Sequence, residues 1–537
     1  MAADNIEEPE KTSRRRRLFS RPADTIAGQV GDNARGVVIG KNVIQIGRVN
    51  VPVWLVFAFG SILVAAFGLL LFVNADELAD RLGLIPVEFP LGVYGVAVAP
   101  FHDPSAVDAE TRNEGIDKAT SLTRYLSYVE ETFSNIGEAP KVFGPEEKIQ
   151  PTSIAAVAEY AAKLKADIVI YGVLKRVSAQ RWELTPRFYV SEAALKRAPE
   201  LSGDAALGAP ITYRIDAPQA SQREVNFSMQ QRVKTIIEIS MALSYLEQDS
   251  LDGYRDAVAL LDALEMNSAW AEENVKLPGQ EIFYTYRGFA YLKLADAISE
   301  LDQDDAAALA AHLEKAELLL LKGEEINPSS PRVLVALGSV YYQKGRQLRA
   351  LACNPTALPY LEKAKGRFEA GIESFSDAPD ISSMPLGDRS VYLNALLGLG
   401  RVDFYRYYCD GFARGHPRLV KDALINYDAV IADYNRMPDP LLARTALYAY
   451  LETAQLLRDA LAGLAALPFS EQPGNQIVQR LRQADALARE LDRDGLSRDV
   501  QAANDRVCAN LAALLPIAPE LAAVSTYCES LTLPTES

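Results

Sequence analysis

The sequence predicts a mainly α protein, an irregular α-solenoid preceded by a small α/β domain and one transmembrane helix. Three observations carry that expectation. An uncharged run of 23 residues occupies positions 51–73. Two β-rich runs, at 91–101 and 166–174, bracket segments whose apolar residues recur at helical spacing. From about Glu224 onward, apolar-striped segments rich in Ala, Leu, Glu, Tyr and Arg alternate with short turns.

A chain of 537 residues, 49% hydrophobic and 23% charged, has room for two or three folded units. Its formal charge of −16 disfavours nucleic acid, because a phosphate backbone demands a positive surface, and points to protein partners instead. The charge is uneven: residues 11–50 carry nine Lys or Arg against only Asp24 and Asp32.

Residues 1–27 hold too few apolar side chains to offset ordering entropy and read as a disordered, basic cytoplasmic tail. Arg14, Arg15, Arg16 and Arg17 either hold that tail on anionic lipid, each charge contributing about 1 kcal/mol, or serve only as a topology signal. Residues 28–48 place Val37, Ile39, Val43, Ile44 and Ile46 between Gly36, Gly40 and Gly47, which predicts short strands with tight turns. A phosphate loop is excluded, since Gly36 lies too close to Gly40 and Asn42 stands where the magnesium-binding hydroxyl is required. The segment resembles the short Gly/Asn β motifs beside transmembrane helices in modular bacterial signalling proteins, a resemblance that implies self-assembly or docking.

The transmembrane helix is expected at residues 51–74, long enough at 1.5 Å per residue to cross about 30 Å of hydrocarbon. The four arginines of the tail, Arg21, Arg35, Lys41 and Arg48 precede it, whereas Asp76, Glu77 and Asp80 follow it with Arg81, so the N-terminus stays cytoplasmic and the C-terminal domains are exported. The run is too long, and begins too late, for a cleaved leader. Ser61, Ala65 and Gly68 share one helical face, which allows a second span to approach. A Pro-containing linker, 75–90, follows.

In residues 91–218, an opening strand feeds a helix carrying Leu122, Tyr125, Leu126, Val129 and Phe133. A short strand at 141–143 comes next, then a helix with Ile154, Val157, Ala158, Ala161 and Leu164, the strand ADIVIYGVL, and a strand in which Leu184, Phe188 and Val190 alternate. With VAVAPF at 96–101, this order resembles the TolB N-terminal-like domain of bacterial periplasmic proteins, which implies an interaction module and not a catalyst. His102 and Asp103 are adjacent on an extended chain and point apart, so they read as loop residues rather than an acid–base pair.

In residues 224–530, the pattern of alanine, a large residue and a small or apolar one recurs at Ala257/Leu261/Leu264, Ala316/Leu320/Gly323, Ala364/Phe368/Gly371 and Ala423/Tyr427/Val430. Tyr284, Gly288 and Tyr291, then Leu334, Leu337, Gly338 and Tyr341, precede two of these, with INPSSP as the turn. These residues resemble tetratricopeptide (TPR) repeats, which implies paired helices and a concave surface for a peptide. The alanines stand 59, 48 and 59 residues apart instead of about 34, so inserted helices or loops are expected, with candidates near Cys353 and residue 380. Tyr284, Tyr291, Tyr341 and Tyr342 read as inter-helix core; Arg332, Lys344 and Arg346 read as solvated charges that could meet an acidic ligand.

Cys353, Cys409, Cys508 and Cys528 lack metal spacing, and three histidines leave little for acid–base work, so no catalytic, cofactor or metal residues are assigned. Buried or free thiols are the simplest reading; a Cys508–Cys528 disulfide follows only if that region faces an oxidising compartment. The sequence therefore points to a membrane-anchored protein–protein interaction scaffold or sensor, homo-oligomeric if the small-residue face pairs. The alternatives are an envelope receptor for a small molecule or cell-wall fragment, and an enzyme with an unrecognised site.

Overall fold

The computed structural model describes residues 37–39, 43–46, 49–52, 95–101, 116, 118–120, 122, 141–143, 153–178, 180–195, 198–214, 232, 235–236, 238–248, 250–267, 279–300, 306–349, 355–375, 381–408, 417–463, 473–491, 494–509, 511–516 and 518–532. The chain divides into two compact units, residues 1–86 and 87–537.

In the first unit, β1 (Val37–Ile39), β2 (Val43–Ile46) and β3 (Val49–Pro52) form an antiparallel meander in that order. Ile44 pairs with Val51 and Val43 with Pro52. This corrects two expected boundaries: the β motif does not end at 48, and Val51 and Pro52 are strand, not the first turn of a transmembrane helix. The alternating Val49 and Val51 favour a pleated ribbon, and Pro52 sits at the end of an outer strand, where a missing N–H is tolerated. The rest of the expected span, the tail and the linker lie outside the described residues. No helix among the described residues is long and apolar enough to cross a membrane.

The second unit opens with a six-stranded sheet made of β4 (Gly95–Val98), β5 (Lys141–Phe143), β6 (Ile168–Ser178), β7 (Arg181–Val190), β8 (Gly203–Ala206) and β9 (Ile211–Arg214). β4 runs parallel to β5 and β6, β7 returns antiparallel, and β8 and β9 share the outer edge of β7. Helix α1 (Ile154–Leu164) starts where the Ser153 hydroxyl accepts from the Ala156 N–H and stops at Lys165, whose φ of 53° turns the chain into β6. Of the helix expected around Leu122, residues 116, 118–120 and 122 are helical, and Tyr125, Leu126, Val129 and Phe133 lie outside the described residues.

One face of the sheet packs on α1 through Val169, Tyr171 and Tyr189 against Val157, Tyr160 and Leu164. This is why the expected alternation in β7 ends in three consecutive buried residues, Phe188, Tyr189 and Val190. The other face, including Val96, Ile170, Trp182 and Phe188, shares one apolar core with the helical residues 238–247 and the helices after them, among them Ile239, Leu243, Leu261 and Phe283.

The helices that follow are α2 (Leu251–Asn267), α3 (Gln280–Glu300), α4 (Ala306–Ile326), α5 (Pro331–Arg349), α6 (Leu358–Glu373), α7 (Leu386–Arg406), α8 (Pro417–Arg436), α9 (Ala443–Gly463), α10 (Pro473–Glu490), α11 (Asp494–Cys508), α12 (Leu511–Leu514) and α13 (Ala522–Thr532). From α3 to α10 they form hairpins, α3 with α4, α5 with α6, α7 with α8 and α9 with α10. The four recurrent alanines fall on α2, α4, α6 and α8, each fully buried. Opposite them, a Cβ on Gly338 or Gly398 would come within 2.7 or 2.4 Å of the Phe368 ring, so the bare backbone lets α5 and α7 close on α6. No additional helix stands between these hairpins among the described residues. The long alanine spacing comes partly from helix length, since α3, α4 and α7 each have 21 residues, and partly from the connections expected near Cys353 and residue 380, which carry 3-10 turns at Pro355–Ala357 and Ile381–Ser383.

Candidate functional site

Helices α3, α5, α7, α9 and α11 pack on one another in succession, whereas α4, α6, α8 and α10 each pack between consecutive members of that series. The odd-numbered helices therefore form one layer of the stack and the even-numbered helices the other.

Polar side chains bridge from one odd-numbered helix to the next. Gln343 Nε2 donates to Asp296 Oδ1 at 2.6 Å, linking α5 to α3. Thr445 Oγ1 donates to Asn394 Oδ1 at 3.1 Å, and Arg401 Nε donates to Glu452 Oε1 at 2.7 Å, linking α9 to α7. Tyr408 donates to Asp459 in the same way, and Tyr448 donates to Asp499 at 2.6 Å, linking α9 to α11. These last four pairs all join residues 51 positions apart, within the 48 to 59 residues that separate the recurrent alanines.

Between α3, α5 and α7 lies a cavity of about 160 Å³, lined also by Glu200 and Leu201 of the 3-10 turn between β7 and β8. Phe289, Leu292, Val335 and Leu397 form apolar wall; Ser339, Tyr342, Gln343 and Asn394 supply polar atoms. Tyr342 packs edge-on against Tyr405 with ring centres 5.2 Å apart. Arg332 fixes the turn: Nε donates to the Glu200 carbonyl at 2.9 Å, and Nη2 donates to the Ser202 carbonyl at 2.7 Å and pairs with Asp388 at 2.8 Å. Gly203, at a φ of 114°, lies where a Cβ would come within 2.8 Å of that guanidinium.

The charged lining is uneven in how it is held. Burial raises the Asp296 carboxyl above its ordinary range although Lys293, Arg346, Arg401 and Arg444 pull it down. Burial likewise raises Glu200, against Lys293, Arg444 and a hydrogen bond with Ser390. Burial also lifts the Tyr448 phenol, with Asp499 adding to the effect and Arg444 opposing it, to about 12.

Tyr284, Tyr291, Tyr341 and Tyr342 are all less than a tenth exposed and pack in one apolar cluster. Arg332 and Lys344 are not solvated charges: Arg332 is engaged as above, and Lys344 pairs with Glu317 on α4. Arg346 is exposed and makes no hydrogen bond or ion pair among the described residues. His102, Asp103, Cys353 and Cys409 lie outside the described residues. Cys508 and Cys528 form a disulfide joining α11 to α13. Sequence reasoning missed Glu200, Asp296, Asn394 and Arg401, although Arg401 and Asp403 stand as charges inside the apolar run of α7.

No family model matches the chain, and no curated protein matches it.

Proposed function

We propose that this chain is a single-pass membrane protein whose exported helical repeats, of tetratricopeptide type and preceded by a TolB-like module, hold a segment of another protein in a groove lined by the odd-numbered helices, with no catalysis of their own. The layer of odd-numbered helices α3, α5, α7 and α9, bridged by polar side chains, carries the reading. Such a surface offers hydrogen-bonding groups at repeating intervals, as an extended peptide requires. Placement outside the cytoplasm is supported by the basic residues before positions 51–74 and by the Cys508–Cys528 disulfide, since such bonds persist in oxidising compartments.

The test fills the cavity and leaves the outside alone. Ser339→Trp should abolish co-isolation of the partner from cross-linked cells, and Ile425→Arg, at a position 56% exposed on α8, should leave it intact. Equal loss in both variants contradicts the reading. A second reading, an envelope receptor for a small molecule, is favoured by the mixed apolar and polar lining of the cavity and predicts binding of a soluble compound with no protein partner.

A further inference from the structure

The cations that line the cavity are already held. Arg332 is engaged by two carbonyls and Asp388, Arg401 is paired with Glu452 and lies over the Tyr448 ring, and Lys293 lies over the Phe289 ring. The two carboxylates facing the same space are held more weakly. Asp296 accepts one bond, from the neutral amide of Gln343, and Glu200 one from Ser390 and one from its own backbone. Lys293 and Arg444 act on both, and Arg346 and Arg401 on Asp296, without forming an ion pair with either carboxylate. Neither has an ion-pair partner among the described residues, while a carboxylate has room for about four hydrogen bonds. The walls beside them, Phe289, Leu292, Val335 and Leu397, suit the methylene stem of a long side chain.

Resting on the groove reading above, we propose that the cavity between α3, α5 and α7 is a subsite for one basic side chain of the bound segment, its aliphatic stem against the apolar wall and its ammonium or guanidinium between Glu200 and Asp296. An arginine or lysine there completes both carboxylates with charge-assisted hydrogen bonds, the strong class of such bonds.

The experiment selects a random-peptide phage library on the purified full chain in detergent, in parallel on wild type, Asp296→Asn and Glu200→Gln. Both substitutions are near-isosteric, and the amide carbonyl that Asp296→Asn introduces still accepts from Gln343. Selected peptides are expected to share a Lys or Arg position in wild type, and a synthetic peptide carrying it should bind more than about tenfold more weakly to Asp296→Asn. Peptides that bind with no basic position, or with one that both variants retain at full affinity, overturn the subsite and leave the groove standing. Selection of no peptide by wild type overturns the groove and the subsite together.

Discussion

The Arg389 guanidinium and the Asp433 carboxylate meet at 2.7 Å with both side chains less than a tenth exposed, tying α7 to α8 at the heart of one hairpin. Arg389 Nη2 also donates to the Met437 carbonyl at 2.9 Å, at the end of α8. Two charges taken out of water are costly to separate, since either alone is left buried and uncompensated. Asp433→Ala is therefore expected to destabilise the fold by about 3–5 kcal/mol, whereas replacing both residues with apolar ones of similar volume should cost far less. Urea unfolding of the single and double variants checks both; a mild effect in the single variant contradicts the assignment.

Phe368 is the point where α5 and α7 close on α6, with Gly338 and Gly398 backing onto its ring. Gly398→Ala should cost about 1–3 kcal/mol through overpacking. Adding Phe368→Leu, which makes room for the new methyl, should recover part of the loss. A double-mutant cycle on thermal unfolding reads the coupling.

Breaking the Cys508–Cys528 bond, which closes a loop spanning 20 residues, should cost about 3 kcal/mol by the chain-entropy argument. Hydrogen exchange before and after reduction should show lost protection in α11 and α13, with α3 to α8 unchanged.

Asp296 gives a pH signature. Its folded-state pKa is raised, so its contribution to stability is present below the ordinary carboxylate pKa and is lost as pH rises through the folded value. Asp296→Asn removes that loss. The variant should gain stability relative to wild type as pH rises from below the carboxylate range toward neutrality; an unchanged difference across that interval sinks the prediction.

Much of the fold was legible because burial imposes periodicity. The four alanines marked the even-numbered helices, and Val157, Ala161 and Leu164 marked α1, since apolar stripes report burial; Ile154, expected in the same stripe, is 50% exposed. β8 and β9 were not legible: Gly203–Ala206 and Ile211–Arg214 are too short to show alternation, and they exist through pairing with β7. The candidate site was less legible still. Asp296, Asn394 and Arg401 stand on helices whose polar residues are spread around the axis, and α7 is buried on several faces, so no polar stripe singled them out. The 51-residue ladder was hidden because Arg401 with Glu452, or Asn394 with Thr445, pairs by complementarity and not by likeness.

The measurement that tests the central claim most directly is site-specific photo-crosslinking in intact cells, with the photoreactive residue at Gln343 inside the groove or at Leu318, 52% exposed on α4. The account predicts one discrete protein adduct from position 343 and none from 318. Adducts from 318 alone, or none from either position, would contradict it.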